Sequence, residues 1–432
     1  MFQAGDIVKV LVPIAVGDGY DYRLTAPADV GAFVRVSVMN RPLVGVIVGA
    51  GDSNLPPEKI KSAVPSSFIL HPSSLCWLAR MSEWTMMQPG AVLRLILNVP
   101  EAFDPPKTEQ LYAFAPPEKM RKTDQRQAIA DAFASNDGEP MSAADIQHIA
   151  RVSPAVIRTM IKSEILTPTS KKISNQQSAI SNYYDTGTVK LNAEQQTAAD
   201  LIAPPVGGGS GRNPVGGAPS INCLPVGNQA SPRPAPQGTP LQRRGEFSVH
   251  LLDGITGSGK TQVYFDTAWR VYAAGRSVLL MMPEIALTAQ FMDRFAARFG
   301  AKPTVWHSNL TMAKRRDIWR GVAAGEIRMV VGTRSALFLP WQDLGLIVVD
   351  EEHDASYKQE DMGNYHARDM AILRAHIENF PVVLASATPS AETIKKVSEG
   401  AYKCSRLTSR FGGATMPAIE LIDMRHERPE AY

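Results

Sequence analysis

Two short stretches carry residue types suited to phosphate chemistry. Gly254-Ile-Thr-Gly-Ser-Gly-Lys260-Thr261 fits the pattern G-x-x-x-x-G-K-[ST], a loop whose backbone N–H groups wrap nucleotide phosphates. Gly254, Gly257 and Gly259 let that backbone approach a ligand without Cβ clashes. Lys260 is then placed to neutralise β/γ-phosphate charge, and the Thr261 hydroxyl to ligate Mg²⁺. The second stretch, Asp350-Glu351-Glu352-His353, closes the apolar run Leu346-Ile-Val-Val349. There Asp350 is expected to hold Mg²⁺ and Glu351 to polarise an attacking water. The alternative for a Gly-rich stretch alone, and the weaker one, is a tight strand–helix turn. With an acidic strand end downstream it reads as an NTP-binding site.

Both stretches need strand ends to hold them. The Gly-rich loop follows an apolar run, Phe247 to Leu252, and precedes a predicted helix, Gln262 to Ala274. That setting aims a helix N-terminus at the phosphates. From Val249 onward predicted strands alternate with helices: Val249–Leu252, Ser277–Met282, Arg328–Gly332, Leu346–Val349 and Val382–Ala385. Such alternation predicts a doubly wound parallel sheet, whose ligands sit at the carboxyl ends of the strands. Three more stretches fall at strand ends: Met282-Pro-Glu-Ile-Ala-Leu-Thr288, Val331-Gly-Thr-Arg-Ser-Ala-Leu-Phe338 and Ser386-Ala-Thr-Pro389.

The chain has 432 residues, 44% hydrophobic and 20% charged, with a formal net charge of +3. That length leaves room for two to four domains, and the small charge means any basic surface is local. Cys76, Cys223 and Cys404 stand far apart, making neither a disulfide framework nor a C-x-x-C metal site. With no signal-peptide pattern at Met1 and no apolar run of bilayer length, a cytoplasmic protein is expected.

Texture divides the rest into an α/β multidomain chain. Residues 1–104 are predicted to form a small β-rich domain, with strands at Ile7–Val12, Phe33–Val38 and Leu43–Val48, then helices at Ser73–Met87 and Ala91–Leu97. Residues 105–175 read as a winged-helix-like module: helices over Asp124–Ala134, Ser142–Ala150 and Pro154–Leu166, with Ser142 and Ser153 as N-caps and Pro154 at a first helical position. An ordinary helical hairpin is the alternative. Residues 176–203 form a linker. The Pro/Gly-rich stretch 204–245 is expected to be a disordered insertion, residues 246–425 the nucleotide-binding lobe, and 426–432 the start of a further one.

In their order, these strand-end motifs match helicase superfamily 2, and Asp350-Glu-Glu-His353 places the chain among its DExH members. Upstream, Leu191-Asn-Ala-Glu-Gln195 resembles the element in which a Gln amide reads an adenine edge; Gln195 can donate and accept at once. Asp350-Glu-Glu-His-Asp-Ala-Ser-Tyr-Lys-Gln359, Tyr365-His-Ala-Arg-Asp369 and Gly332-Thr-Arg-Ser-Ala-Leu-Phe338 are more specific still. They resemble the PriA (primosomal protein N′) family of bacterial replication-restart helicases, over nearly the whole chain.

That resemblance implies an ATP-dependent 3′→5′ DNA helicase with a RecA-like first lobe. Its cofactors would be ATP and Mg²⁺, and its partners forked and single-stranded DNA, other primosome proteins and single-stranded-DNA-binding protein. Lys260, Asp350 and Glu351 would be catalytic. Gln195, Gly254, Gly257, Ser258, Gly259, Thr261 and His353 would contact nucleotide, and Ser386 and Thr388 would couple nucleotide to DNA. Asp21 would receive a 3′-hydroxyl, with Tyr20 and Tyr22 shaping a base pocket; from the residues alone, Tyr20-Asp-Tyr22 reads as a half-buried strand. Arg334 and Ser335 would line the DNA track. Tyr357, Lys358 and Tyr365 belong to a loop similar to the family's aromatic-rich element, although Asn364 stands where many relatives carry Arg and the loop has no Trp. The family's zinc ligands are absent from this chain, and it stops at Tyr432, where a second lobe is expected to begin. Alone it is expected to bind ATP weakly and not to unwind. A docking module for forks or primosome proteins, without motor activity, is the second reading; an RNA helicase fits the N-terminal resemblance less well.

Overall fold

The computed structural model describes residues 1–15, 17, 19–52, 56, 59–104, 111–115, 123–135, 140–169, 190–203, 246–360 and 363–410. The expected insertion 204–245, residues 176–189 of the linker and everything after 410 lie outside the described residues. The chain forms two compact units, one from Met1–Ala102 with Gln176–Tyr432 and one from Phe103–Asn175.

The first unit opens with a closed barrel. Its strands are β1 (Ile7–Leu11), β2 (Tyr20–Leu24), β3 (Ala32–Val38), β4 (Arg41–Ala50) and β5 (Ser62–Ile69), in the order β1-β2-β5-β3-β4. Alternate residues Val8 and Val10, with Tyr22, Leu24, Val34, Val36 and Ile47, fill the interior, the period of two that a half-buried strand requires. The β3–β4 hairpin turns through Met39 and Asn40 at φ 46° and 63°, the backbone hand that matches strand twist. Two helices follow, α1 (Pro72–Thr85) and α2 (Pro89–Ile96), each with proline in its first turn, where no N–H is needed. β2 falls where Tyr20-Asp-Tyr22 reads as a half-buried strand; β5 was not among the expected strands, because Ser-Ala-Val-Pro-Ser-Ser-Phe-Ile is too polar to announce itself.

The second unit has strands β6 (Leu111–Phe114), β7 (Met141–Ser142) and β8 (Leu166–Thr169), in the order β7-β6-β8. Its helices are α3 (Asp124–Ser135), α4 (Ala143–Ala150) and α5 (Pro154–Lys162), an arrangement of the winged-helix-like kind. Ile129, Phe133, Ile146, Ile157, Met160 and Leu166 form its core. The Ser142 hydroxyl accepts from Asp145 N and caps α4, whereas Ser153 precedes α5 without a side-chain bond.

The rest of the first unit is a parallel sheet with its helices. After α6 (Ala193–Ile202) come β9 (Ser248–Gly254), α7 (Lys260–Ala273), β10 (Ser277–Met281), α8 (Ala289–Phe299), β11 (Thr304–Trp306), α9 (Met312–Ala323), β12 (Met329–Gly332) and β13 (Leu344–Asp350). A two-stranded ribbon, β14 (Lys358–Gln359) with β15 (Tyr365–His366), precedes α10 (Ala367–Glu378), β16 (Pro381–Ser386), α11 (Ala391–Ser398) and β17 (Lys403–Leu407). The seven-stranded sheet runs β11-β12-β10-β13-β16-β9-β17 and its pairings are parallel. Every residue of β10 and β16 is buried, as expected of strands covered on both faces. β11 and β17 were not expected; they are edge strands, and β17 reads Lys-Cys-Ser-Arg-Leu, without an apolar run.

Barrel and lobe interlock within the first unit. Trp77 of α1 donates to Met370 O at 3.1 Å, and Trp319 of α9 to Ile96 O at 3.0 Å. Buried Arg374 donates to Leu337 O, Ser74 Oγ and Glu378 Oε1 at 2.6–2.9 Å, with its guanidinium over the Trp77 ring. Among the described residues, no helix is long and apolar enough to cross a membrane.

Candidate nucleotide site and nucleic-acid face

Sheet register brings the chemistry to one edge. Asp350 of β13 lies opposite Ala385 of β16, and the next residue, Ser386, lies opposite Asp253 of β9. The Gly-rich loop, Ser386 and the acidic stretch therefore leave the sheet side by side. Positive φ at Gly257 (83°) and Gly259 (85°) turns the loop into α7. A Cβ on Gly259 would lie 2.3 Å from Gln195 Nε2, so even alanine would have to displace that amide.

Lys260 is the first residue of α7 and 9% exposed. Its ammonium folds back onto the loop, donating to Gly254 O at 2.6 Å. Burial lowers its pKa, and the charges of Glu351 and Asp350 oppose that shift. Ser258 Oγ is buried and has no hydrogen-bond partner among the described residues. A buried ammonium held by a single carbonyl, beside an unsatisfied hydroxyl and open backbone turns, fits a phosphate chain.

Asp350 Oδ2 accepts from the Tyr264 hydroxyl at 3.0 Å and Oδ1 from Glu351 N at 3.2 Å. Burial pushes its pKa up to about 6; the Tyr264 hydrogen bond opposes this and the Glu351 charge adds to it. Glu351 sits at φ 46°, a strained left-handed conformation for a side-chain-bearing residue, and its side chain is 40% exposed. Glu352 points the other way and is fully buried. It accepts from Arg368 Nη1 and Ser390 N at 2.7 Å and from Thr393 Oγ1 at 3.0 Å. His353 Nδ1 lies 2.7 Å from Ser386 Oγ, which also accepts from Thr388 N at 3.0 Å.

Neither Tyr264 nor Glu352 figured among the expected site residues. Tyr264 supports Asp350, and its only sequence signal is its place on the helix after the Gly-rich loop. Glu352 had a signal, a third consecutive acid after a strand, which alternation turns inward.

Gln195 differs from its expected role. It is fully buried; its Oε1 accepts from Asn192 N at 2.9 Å, closing the cap of α6, and its Nε2 donates to Ser258 O at 2.9 Å. Both ends of the amide are engaged in bracing the Gly-rich loop. No adenine edge can meet them unless those bonds break.

The residues expected on DNA fall in two groups, Tyr20, Asp21 and Tyr22 on the barrel strand β2, and Arg334, Ser335, Tyr357 and Tyr365 around one cavity at the sheet edge. On β2, Tyr20 is exposed, Tyr22 is in the barrel core with its hydroxyl donating to Ser37 O at 3.3 Å, and Asp21 lies between them. Strand alternation places Asp21 on the opposite face from both tyrosines. The three therefore do not share one pocket wall. Asp21 Oδ1 is buried without a hydrogen-bond partner among the described residues. Arg334 Nη1 clamps the backbone at Ser356 O and Lys358 O at 2.9 and 2.8 Å, and Ser335 Oγ accepts from Trp306 Nε1 at 3.1 Å. Lys358 is exposed and pairs with Glu360 at 2.9 Å. Tyr357 is 1% exposed and reaches under the loop to Met281 O and Asp350 O at 3.1 and 2.6 Å. Tyr365 is also buried, against Phe338, and burial pushes its hydroxyl up to about 12. Apolar packing claims both rings, so neither presents a free face for a base to stack on.

With this geometry in place, likeness to known proteins can be read. Residues 245–397 match the DEAD/DEAH box helicase family, and residues 9–98 match a 3′DNA-binding domain family (3′BD). The replication restart protein PriA of Bacillus subtilis is 46% identical over 182 residues, which is 42% of this chain and 23% of that protein. PriA of Rickettsia conorii is 48% identical over 178 residues, 41% of this chain and 28% of that protein. PriA of Chlamydia pneumoniae is 33% identical over 347 residues, 80% of this chain and 40% of that protein.

The chain is PriA-like.

It carries a helicase domain of the DEAD/DEAH type, and its matches span between 23% and 40% of the length of these relatives. Among solved structures, the Pyrococcus furiosus Hef helicase domain overlays 38% of this chain and 36% of that one, at TM-score 0.30 and 21% identity; so loose an overlay adds nothing to the fold read from the sheet itself.

Proposed function

We propose that the chain is the part of an ATP-dependent 3′→5′ DNA helicase that binds nucleotide and recognises abandoned replication forks for primosome reassembly. The observation that carries this reading is the shared sheet edge, where Lys260, Ser386 and Asp350 stand on the ends of adjoining strands and loops. In this reading residues 1–104 bind a 3′ DNA end, 105–175 form an accessory DNA-contacting module, and 246–425 form the first motor lobe. Forked and single-stranded DNA are the ligands, and primosome proteins and single-stranded-DNA-binding protein the partners.

Bound nucleotide with Mg²⁺ would supply an activated phosphoryl group. Lys260 would exchange Gly254 O for a phosphate oxygen, gaining a charge-assisted bond. The loop N–H groups and Ser258 Oγ would take the remaining oxygens. Thr261 and Asp350 would hold the metal, and Glu351, whose carboxylate is the exposed one, would orient water. His353 would sit at the nucleotide edge through its link to Ser386. Gln195 would act on nucleotide through the loop that it braces.

A titration with a fluorescent ATP analogue tests the nucleotide half. The 432-residue chain should bind it with Mg²⁺, and Lys260→Ala should weaken binding by about tenfold or more; equal affinity for both chains would overturn the assignment. Forked DNA carrying a 3′-hydroxyl or a 3′-phosphate at the junction tests the other half. Preference for the hydroxyl supports end recognition, and indifference removes it.

A further inference from the structure

We propose that Tyr264 is the positioning residue of the metal-binding pair: its hydroxyl joins Asp350 to Thr261 and sets how tightly nucleotide-bound Mg²⁺ is held. This rests on the nucleotide reading above and deepens it, since it names the residue that makes two separate side chains act together.

Helical spacing places the phenol. Thr261 and Tyr264 are three residues apart on α7, so they share a face one turn below the Gly-rich loop. The Tyr264 side chain is fully buried, in the core that includes Leu252 of β9, Val348 of β13 and Ala385 of β16. Its ring meets that of Phe265 edge to face, with centroids 5.4 Å apart. A ring packed on every side fixes where its hydroxyl points.

That hydroxyl donates to Asp350 Oδ2 at 3.0 Å. Burial raises the phenol's pKa well above its ordinary value and the Asp350 charge adds to the rise, while a hydrogen bond with the Thr261 side chain opposes it. Tyr264 therefore keeps its proton and gives it to the carboxylate, and its oxygen is the acceptor for Thr261. A threonine hydroxyl that donates its proton this way keeps its lone pairs for a cation.

The carboxylate is fixed from several directions. Oδ1 accepts from Glu351 N at 3.2 Å, and the main-chain oxygen of Asp350 accepts from Tyr357 at 2.6 Å. Only Tyr264 holds Oδ2 among the described residues. The terminal torsion of an aspartate is soft on its own, so without the phenol the plane of the carboxylate would turn. Packing alone would be served by phenylalanine, the residue that stands at 265; a buried hydroxyl costs stability unless it is bonded.

The test is a set of Mg²⁺ titrations of fluorescent-ATP-analogue binding to the full chain, to Tyr264→Phe, to Asp350→Asn and to the double variant, each repeated with chelator in place of Mg²⁺. Tyr264→Phe should raise the Mg²⁺ midpoint about tenfold, the usual effect of removing a partner that orients a metal ligand. Its metal-free affinity should stay within about twofold of wild type, and saturating Mg²⁺ should restore wild-type affinity. In the double variant the two effects should fall well short of adding, because both act on one carboxylate. An unchanged midpoint or fully additive effects would overturn the proposal. Metal-free affinity that falls as far as the Mg²⁺-supported affinity would also overturn it, and would assign Tyr264 to packing. Should Tyr264→Phe lose its native circular dichroism, Tyr264→Met removes the hydroxyl with a side chain that adapts to the gap and is read in the same way. Wild-type binding that does not respond to Mg²⁺ would defeat the metal assignment of Thr261 and Asp350 itself, and the proposal with it.

Discussion

His353 Nδ1 lies 2.7 Å from Ser386 Oγ, and this contact ties the acidic end of β13 to the end of β16. The hydroxyl is fully buried and also accepts from Thr388 N at 3.0 Å. Ser386→Ala leaves that N–H and the imidazole without their shared partner. We expect a loss of about 0.5–1.5 kcal/mol in urea unfolding, the net worth of a hydrogen bond, since His353 and Thr388 are both exposed residues. Affinity for the ATP analogue should stay within about twofold, because no phosphate contact is removed. Unchanged stability would mean that water replaces the hydroxyl.

Glu352 and Arg368 form a second link, deeper and stronger. The carboxylate is fully buried, and Arg368 Nη1 meets it at 2.7 Å. Glu352→Ala leaves Ser390 N and the Thr393 hydroxyl without their acceptor, and the Arg368 guanidinium with only the half-exposed Asp369 as counter-charge. The expected cost is about 3–5 kcal/mol. Glu352→Gln keeps the shape and the acceptor and should cost clearly less. Denaturant midpoints that fall equally in the two variants would show that charge, not occupancy, holds the site.

Asp350 links stability to pH. Its carboxyl keeps its proton up to about pH 6 in the folded chain, mainly because of burial, whereas an unfolded aspartate releases it near 3.9. Between those values the folded state binds more protons, so this residue's contribution falls as pH rises through about 6. Asp350→Asn should therefore melt higher than wild type at pH 7–8, by at most about 3 kcal/mol. The gap should close below pH 4. Mg²⁺-dependent binding of the ATP analogue by the wild-type chain should weaken below about pH 6, as the carboxylate is protonated. Parallel melting curves at all pH values would refute the burial argument.

The lobe was legible because its central strands are continuous apolar runs, ending in Gly-rich or acidic stretches whose order sets them apart from ordinary turns. Val249–Leu252 and Leu346–Val349 announced both their class and their depth. Edge strands such as β17 (Lys403–Leu407) pair through backbone alone and leave no such trace. Side-chain direction was the other blind spot. Tyr22 and Asp21 are neighbours in sequence and on opposite faces in the barrel. Tyr357 reads as an aromatic awaiting a base, yet hydrophobic burial with two carbonyl acceptors within reach outweighs exposure for stacking. Gln195 was legible as a residue that donates and accepts, but not as one whose partners are the chain's own cap and loop.

Tyr357 bridges the ends of two neighbouring strands, β10 and β13, whose ladder runs up to Met281 and Val349. Its hydroxyl lies 2.6 Å from Asp350 O and 3.1 Å from Met281 O, and a single O–H proton favours the shorter contact. The ring is 1% exposed, and burial pushes the hydroxyl pKa well above its ordinary value, so at neutral pH it is a donor only in its protonated form. Tyr357→Phe keeps the ring packing and deletes the proton. The expected cost is about 1–2 kcal/mol, that of leaving a buried carbonyl short of a donor. Hydrogen exchange should locate the change: faster exchange at residues 354–360 and 282–286, with the barrel unaffected. A uniform rise across the lobe would assign Tyr357 to general packing. Exchange confined to those two loops would make it the strut that links the end of β10 to Asp350.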